Sequence, residues 1–258
     1  MRRWEGASLA FFVYLACAAI VPGRGGAARL KLATGAAAGF LFIAITATAP
    51  DWPLLHEWVG PPIALLLAYW TSGSLFVAPR PLQEATLLAL DRRLRVLDRA
   101  RAMPRPLALA LEAAYAGVYP TIPVALALHL LFVPQPDPEH FWEVVLVTDY
   151  ICFGFLAWVQ TRPPRALEEG EPWQSAARRF NVRLLGATSI QVNTFPSGHA
   201  AEALAATLLL LGAPWPIAAG MFLNALAISA GTVFGRYHYA ADAIAGWAVA
   251  IVVWLAIG

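Results

Sequence analysis

Long stretches without a charged side chain constrain the fold of this 258-residue chain more than any other feature. Asp, Glu, Lys and Arg are all absent from residues 6–23, 32–50, 58–79, 203–235 and 243–258. A helix needs roughly 20 apolar residues to cross the hydrocarbon layer of a bilayer. Only 13% of the residues are charged, against about 25% in a typical soluble domain. The chain is therefore predicted to be an integral membrane protein.

The pattern of these stretches predicts an all-α fold, a polytopic transmembrane helical bundle of about eight spans. We place the spans at residues 7–22, 32–49, 61–78, 106–133, 141–160, 198–213, 217–235 and 239–257. Pro120 and Pro123 should kink the fourth span, because proline removes a backbone donor inside a helix. Pro214-Trp215-Pro216 should separate the sixth span from the seventh for the same reason.

Residues 81–102 follow a different pattern. Charged residues fill most faces of the predicted helix, and one apolar stripe remains: Leu87, Leu90, Leu94 and Leu97. Such a stripe is typical of an amphipathic helix that lies in the membrane surface, although a solvated connector would also fit. We expect a boundary near residue 80, with N-terminal transmembrane helices over 1–79. The core over 80–258 would comprise the interfacial helix and five spans.

Positive charge is distributed unevenly between the two predicted faces of the membrane. Eight crossings place loops 23–31, 79–105, 161–197 and 236–238 on one face. That face carries all of the 18 Lys and Arg residues except Arg2 and Arg3. By the positive-inside rule it should be the cytoplasmic face, and we expect the membrane to be the bacterial inner membrane.

Two histidine motifs border this arginine-rich face. His238 and Asp242 are four residues apart at the start of the last span, so they share one face of the helix. The Asp242 carboxylate can accept a hydrogen bond from one ring nitrogen and leave the other nitrogen free to attack. Ionisable residues in membrane helices are costly and usually functional. A purely structural hydrogen-bonded pair is the alternative.

Pro196-Ser197-Gly198-His199 precedes the sixth span on the same face. Proline and serine suit a helix start, and the unpaired amides after Ser197 and Gly198 form an anion cradle. His199 at this point can donate a proton to a departing oxygen. Taken alone, the motif could also be an ordinary capped helix start.

Arginines near the two motifs complete a candidate phosphate site. Arg162 and Arg165 lie in Thr161-Arg162-Pro163-Pro164-Arg165 at the end of the fifth span, and Arg236 lies two residues before His238. Planar guanidinium groups match phosphate oxygens. A positive membrane flank is the alternative, and the sequence does not rank Arg162 against Arg165.

In this order, these segments resemble the type-2 phosphatidic acid phosphatase superfamily, whose pattern is Lys-x6-Arg-Pro, Pro-Ser-Gly-His and Ser-Arg-x5-His-x3-Asp. Arg-Pro-Pro-Arg and Arg-Tyr-His-Tyr look closest to the branch with the inositol phosphorylceramide synthases. Two positions depart from the pattern: Phe155 replaces the lysine, and Thr232 replaces the arginine of the third motif.

The resemblance implies a role for each candidate residue. His238 would attack phosphorus, Asp242 would orient it, and His199 would act as the acid. Phosphate contacts would come from Ser197, Gly198 and the arginines Arg162, Arg165 and Arg236, without a metal or another cofactor. Sites of this family commonly face away from the cytoplasm, which conflicts with the charge distribution.

We therefore expect a membrane-embedded lipid phosphatase that hydrolyses a lipid phosphate monoester or pyrophosphate through a phosphohistidine. The first alternative is a phospholipid head-group phosphotransferase that uses an alcohol acceptor. The second is a divalent-metal site made of His199, His238 and Asp242. The third is a transporter or lipid-binding protein without chemistry, for which no inverted repeat is visible. Expected partners are the lipid phosphate and the bilayer, not nucleic acid, and the oligomeric state is left open.

Overall fold

A computed structural model describes residues 1–168 and 170–258. These residues form twelve α-helices and no β-strand, which confirms the predicted all-α membrane-type bundle. The helices are α1 Arg3–Ile20, α2 Gly26–Thr48, α3 Gly60–Ser72, α4 Pro81–Arg93, α5 Val96–Arg101, α6 Arg105–Ala116, α7 Val118–Phe132, α8 Pro138–Gly154, α9 Ala176–Thr188, α10 Gly198–Leu208, α11 Trp215–Phe234 and α12 Ala240–Ile257.

Fewer helices are long and apolar enough to cross a membrane than the eight predicted. Within the described ranges, α1, α2, α8 with its following turn, α11 and α12 meet the criterion, and the bent pair of α6 and α7 adds a sixth if it is one span. The third predicted span is divided into a π-helical turn, Leu54–Val59, and the 13-residue α3. The sixth ends as regular helix at Leu208, after only 11 residues.

The fourth predicted span bends at Gly117 rather than at its prolines. Helices α6 and α7 meet there at 66°. Pro120 lies in the first turn of α7, where a helix has no partner for the backbone N–H that proline lacks. Only Pro123 lies inside the helix.

The predicted interfacial helix is two helices with an unexpected buried face. Arg95, with a left-handed φ of 52°, separates α4 from α5. The protein-facing side of α4 carries Glu84, Leu88 and Asp91, whereas the leucines of the predicted stripe are half-buried or exposed. That exposed stripe suits contact with lipid, and the buried carboxylates face the arginine-rich loops.

Ion pairs at the two ends of the bundle agree with the predicted grouping of the loops. At the N-terminal end, Arg2 contacts Asp51 and Arg3 contacts Asp137 at 3.1 Å. At the opposite end, Arg162 pairs with Glu84 at 2.9 Å, and further arginine pairs tie the loops of the core together. The loops that bear the histidine motifs therefore share one end of the molecule.

Close packing of α11 against α6 generates a stability prediction. A Cβ atom at Gly231 would lie 2.5 Å from the Leu111 backbone oxygen on α6, whereas a Cβ atom at Gly220 of the same helix would have no neighbour within 4 Å. Gly231→Ala should lower the free energy of unfolding by about 1–3 kcal/mol through overpacking. Gly220→Ala should leave it unchanged or raise it slightly, because alanine is the better helix former.

The measurement is thermal unfolding of both variants in the same detergent, followed by circular dichroism. A midpoint for Gly231→Ala equal to that of Gly220→Ala would contradict the close approach of α11 and α6.

Candidate active site

The two motif histidines lie side by side on one cavity. The ring centroids of His199 and His238 are 5.9 Å apart, with an interplanar angle of 51°. Both rings line a cavity of about 430 Å³ that opens between the helices of the core. His199 comes from the first turn of α10, and His238 comes from the short turn between α11 and α12. Residues 39 positions apart in the chain thus reach the same space.

A tight turn positions His238. The backbone N–H groups of Tyr237 and His238 both donate to the Thr232 carbonyl, at 2.9 and 3.0 Å. Arg236 at the apex adopts a left-handed φ of 61°. The chain thereby reverses within five residues and presents the His238 ring at the start of α12. Thr232, at the position of the family's usual arginine, serves here through its backbone carbonyl.

Asp242 lies next to the His238 ring, one helical turn away along the chain. His238 Nδ1 lies 3.3 Å from Asp242 Oδ2, and the same oxygen accepts the Tyr239 N–H at 2.9 Å. Burial lowers the pKa of His238 to about 3, and the nearby Arg165 acts in the same direction. The imidazole of the free protein is therefore neutral near pH 7, the form required of a nucleophile.

The start of α10 is fastened to the start of α12. The Ser197 N–H donates to the Asp242 carbonyl at 2.9 Å, and Ser197 Oγ caps α10 by accepting the Ala200 N–H at 3.4 Å. A Cβ atom at Gly246 of α12 would lie 2.5 Å from the Ser197 carbonyl oxygen. Glycine at this position lets the two helices approach. Ser197 and Gly198 are thus placed at the helix N-terminus beside the histidines.

Aromatic stacking holds His199. Its ring lies parallel to Tyr115, with centroids 5.5 Å apart, and edge-on to Tyr119 at 6.4 Å. Tyr115 in turn stacks on Tyr237 at 3.9 Å. Tyr237 immediately precedes His238 in the chain. The stacked rings of Tyr115 and Tyr237 therefore connect His199 to the segment that carries His238.

The buried Glu112 carboxylate anchors this stack. It accepts hydrogen bonds from the Tyr237 hydroxyl at 2.8 Å and from three other side chains: Trp173 Nε1 at 2.8 Å, Asn181 Nδ2 at 2.6 Å and Arg178 Nη1 at 3.3 Å. Glu112 is only 1% exposed. The sequence pattern does not indicate this cluster, because all four donors lie more than 60 residues from Glu112 in the chain.

Of the three candidate arginines, the structure brings only Arg165 to the cavity. Arg165 lines the cavity with the histidines, and its Nη1 lies 3.5 Å from the Tyr237 carbonyl oxygen. Its guanidinium carbon is 5.5 Å from the centre of the Tyr237 ring. No carboxylate of the described part of the chain forms an ion pair with it. Its charge is therefore available to an anion.

Arg162 and Arg236 are held elsewhere by carboxylates. Arg162 donates two hydrogen bonds to Glu84, both at 2.9 Å, and this pairing holds the pKa of Glu84 below its usual value. Arg236 lies between Asp91 and Glu168, each at 2.5 Å. Neither arginine lines the cavity. The sequence could not reveal this, because Glu84, Asp91 and Glu168 are distant in the chain and carry no motif.

The walls of the cavity are mainly apolar and include the N-terminal helices. Helix α3 contributes Pro62, Leu65, Leu66, Tyr69 and Trp70. Further apolar lining comes from α7, α8 and α9. The predicted boundary near residue 80 therefore does not separate the site from the N-terminal part.

Glu202, the possible metal ligands and Phe155 complete the description of the surroundings of the site. Glu202 follows His199 by three residues on α10, and its carboxyl group interacts with Asp149. Within residues 1–168 and 170–258, no three His, Cys, Asp or Glu side chains are grouped as metal ligands. The metal-triad alternative thus finds no ligand set there. Phe155, at the position of the family's lysine, is 40% exposed and does not line the cavity.

Comparison with known proteins agrees with the motifs. The model of the PAP2 superfamily matches residues 84–256, about two thirds of the chain. This range contains His199, His238, Asp242 and Arg165. No curated protein and no solved structure matches the chain. The chain belongs to the PAP2 superfamily, whose members are generally phosphatases or phosphotransferases.

Proposed function

We propose that this protein is a membrane-embedded lipid phosphatase that hydrolyses a phosphate monoester or pyrophosphate through a phosphohistidine. The observation that carries the proposal is the pair of imidazoles 5.9 Å apart on one cavity, with Asp242 behind His238. That separation leaves room for one phosphoryl group to contact both rings. The arginine distribution supports a site on the cytoplasmic side.

In the first step, His238 Nε2 attacks phosphorus in line with the leaving oxygen. The N–P bond forms as the P–O bond breaks, and His199 in its protonated form gives its proton to the departing alkoxide or phosphate. Asp242 at His238 Nδ1 stabilises the positive charge that develops on the nucleophile. The negative charge of bound phosphate favours the protonated form of His199.

In the second step, His199 is the base. It takes a proton from water as the water oxygen attacks phosphorus, the N–P bond breaks, and inorganic phosphate leaves. His238 returns to its neutral form and His199 to its protonated form, so the cycle balances. Positioning and charge stabilisation should supply most of the rate enhancement, as in phosphoryl transfer generally.

The remaining residues give the cavity a polar region for the phosphate and an apolar region for the rest of the substrate. The Arg165 guanidinium and the amides at the start of α10 suit the phosphate oxygens. The apolar walls from α3, α7 and α8 suit hydrocarbon chains. A water-soluble phosphate ester would leave these walls without a partner, which favours a lipid substrate.

Transfer to an alcohol instead of water is the second candidate. The Arg-Pro-Pro-Arg and Arg-Tyr-His-Tyr sequences favour it, since they resemble the inositol phosphorylceramide synthase branch. Both reactions pass through the same phosphohistidine. Release of inorganic phosphate without an added alcohol supports hydrolysis, and a new phosphate ester formed only with an acceptor supports transfer.

The division of labour between the histidines is testable with an aryl phosphate, whose leaving group needs no proton. His199→Ala should still form the phosphohistidine but lose about 100-fold or more in turnover, because water is no longer activated. His238→Ala should form none. The measurement is protein-bound ³²P after an acid-free quench, with His140→Ala as a histidine control outside the site. Equal labelling of His199→Ala and His238→Ala would contradict the assignment.

The two arginines of the same loop should differ. Arg165→Ala should lower kcat/KM by about 100-fold, because it removes a charge aimed at the phosphate. Arg162→Ala should lower it much less, since its guanidinium is occupied by Glu84. Phosphate release under steady-state conditions measures both. The opposite order of effects would refute the placement of Arg165 as the phosphate contact.

The ring stack of Tyr115 and Tyr237 should affect kcat. Tyr237→Phe keeps the ring but removes the hydrogen bond to Glu112, so we expect kcat to fall about tenfold with little change in KM. Tyr150→Phe is the matched control, since it also removes a buried hydroxyl group. That hydroxyl is hydrogen-bonded to Ser8 Oγ at 2.8 Å and does not line the cavity. Equal kcat values for the two variants would show that Glu112 does not position the stack.

A further inference from the structure

Two carboxyl groups outside the proposed chemistry face the same cavity as the histidines. Asp149 of α8 and Glu202 of α10 both line it. They are hydrogen-bonded to each other, which requires a proton on one of them. Asp149 is 1% exposed, and its Oδ2 is buried without a hydrogen-bond partner in the described part of the chain. An acceptor oxygen is therefore left unused at the cavity wall.

This pair differs from three other buried carboxyl groups by lacking an arginine partner. Glu84, Asp91 and Glu112 each pair with an arginine. Neither Asp149 nor Glu202 forms an ion pair with a described Arg, Lys or His side chain. Ionisable groups within an apolar bundle are costly and usually serve function. The missing cation points to a ligand.

The pair is close to the position that the proposed mechanism gives to the phosphate. Glu202 follows His199 by three residues on α10, so it lies on the same face about 4.5 Å further along the axis. Asp149 Oδ1 would be 3.3 Å from a Cβ atom at Gly198. Asp149 therefore lies level with the start of α10, and Glu202 lies roughly one helical turn beyond His199.

The surroundings favour an ammonium group over a neutral donor. Loss of a proton from the pair when a cation binds would leave one negative charge, which a hydroxyl group could bond but not neutralise. Aromatic rings of Tyr69, Trp142 and Phe153 also line the cavity, and such rings attract cations. With Arg165 suited to phosphate, the cavity offers opposite charges to the two ends of a zwitterion.

We propose that Asp149 and Glu202 bind an ammonium group next to the phosphate, so that the preferred substrates are lipid phosphate esters of amino alcohols. This inference rests on the proposed function, because it names the substrate class of the same cavity. The ammonium could belong to the lipid phosphate itself or to an amino-alcohol acceptor. In both cases the same carboxyl groups would hold it.

The test compares three substrates that differ at one position: 2-aminooctadecyl, 2-hydroxyoctadecyl and octadecyl phosphate. Wild type should prefer the amine over the hydroxyl compound by about tenfold or more in kcat/KM. Asp149→Asn and Glu202→Gln should each bring that ratio close to one. Thr148→Ala, which changes a buried side chain of α8 outside the cavity lining, should keep it.

A further assay, with octadecyl phosphate and free ethanolamine, identifies the molecule that carries the ammonium group. Formation of phosphoethanolamine would place it on an acceptor, and phosphate release alone would place it on the lipid. A wild-type ratio near one, or a ratio unchanged in both carboxyl variants, would overturn the subsite while leaving the phosphatase proposal intact.

Failure of the phosphatase proposal would be distinguishable. If no compound releases phosphate, the thermal unfolding midpoint with each lipid still tests the subsite. The amine compound should stabilise wild type more than the hydroxyl compound does, and Asp149→Asn and Glu202→Gln should lose this difference. Equal stabilisation of wild type by both compounds would overturn the inference.

Discussion

The Ser197 N–H and the Asp242 carbonyl form one 2.9 Å hydrogen bond on which the geometry of the site depends. It joins the first residues of α10 to the first turn of α12, and Gly246 allows the close approach that this bond needs. His199 extends from one side of the junction and His238 from the other. Because both rings are attached within two or four residues of this bond, their separation is fixed by backbone rather than by flexible side chains.

Around this junction, carboxylates of the chain hold several arginines of the arginine-rich end. Glu84 holds Arg162, Asp91 and Glu168 hold Arg236, and Glu112 holds Arg178. Buried carboxylates and guanidinium groups require such partners, since an unpaired charge in a low-dielectric interior is costly. Arg165 is the arginine directed to the cavity. The same pairing logic makes Asp149 and Glu202 conspicuous.

The cavity combines parts that the chain keeps far apart. Its polar end comes from the family-matched region over 84–256, whereas α3 supplies a large part of an apolar wall. A phosphate ester with a hydrocarbon chain fits this division, because its two ends need opposite surroundings. The N-terminal helices therefore contribute to the lining of the cavity as well as to the bundle.

Sequence alone determined the fold class, the end of the bundle that carries the motifs, and the His238–Asp242 pairing. Each of these depends on local spacing: apolar runs of membrane length, loop parity, and four residues on one helix face. Only the tertiary structure decided which helices are short and which arginine reaches the cavity. It also decided which carboxylates pair with the other arginines. Those outcomes depend on contacts between residues 60 to 150 positions apart, such as Arg236 with Asp91 and Tyr237 with Glu112. Local sequence patterns do not indicate such contacts, because the contacts form only when separate helices pack together.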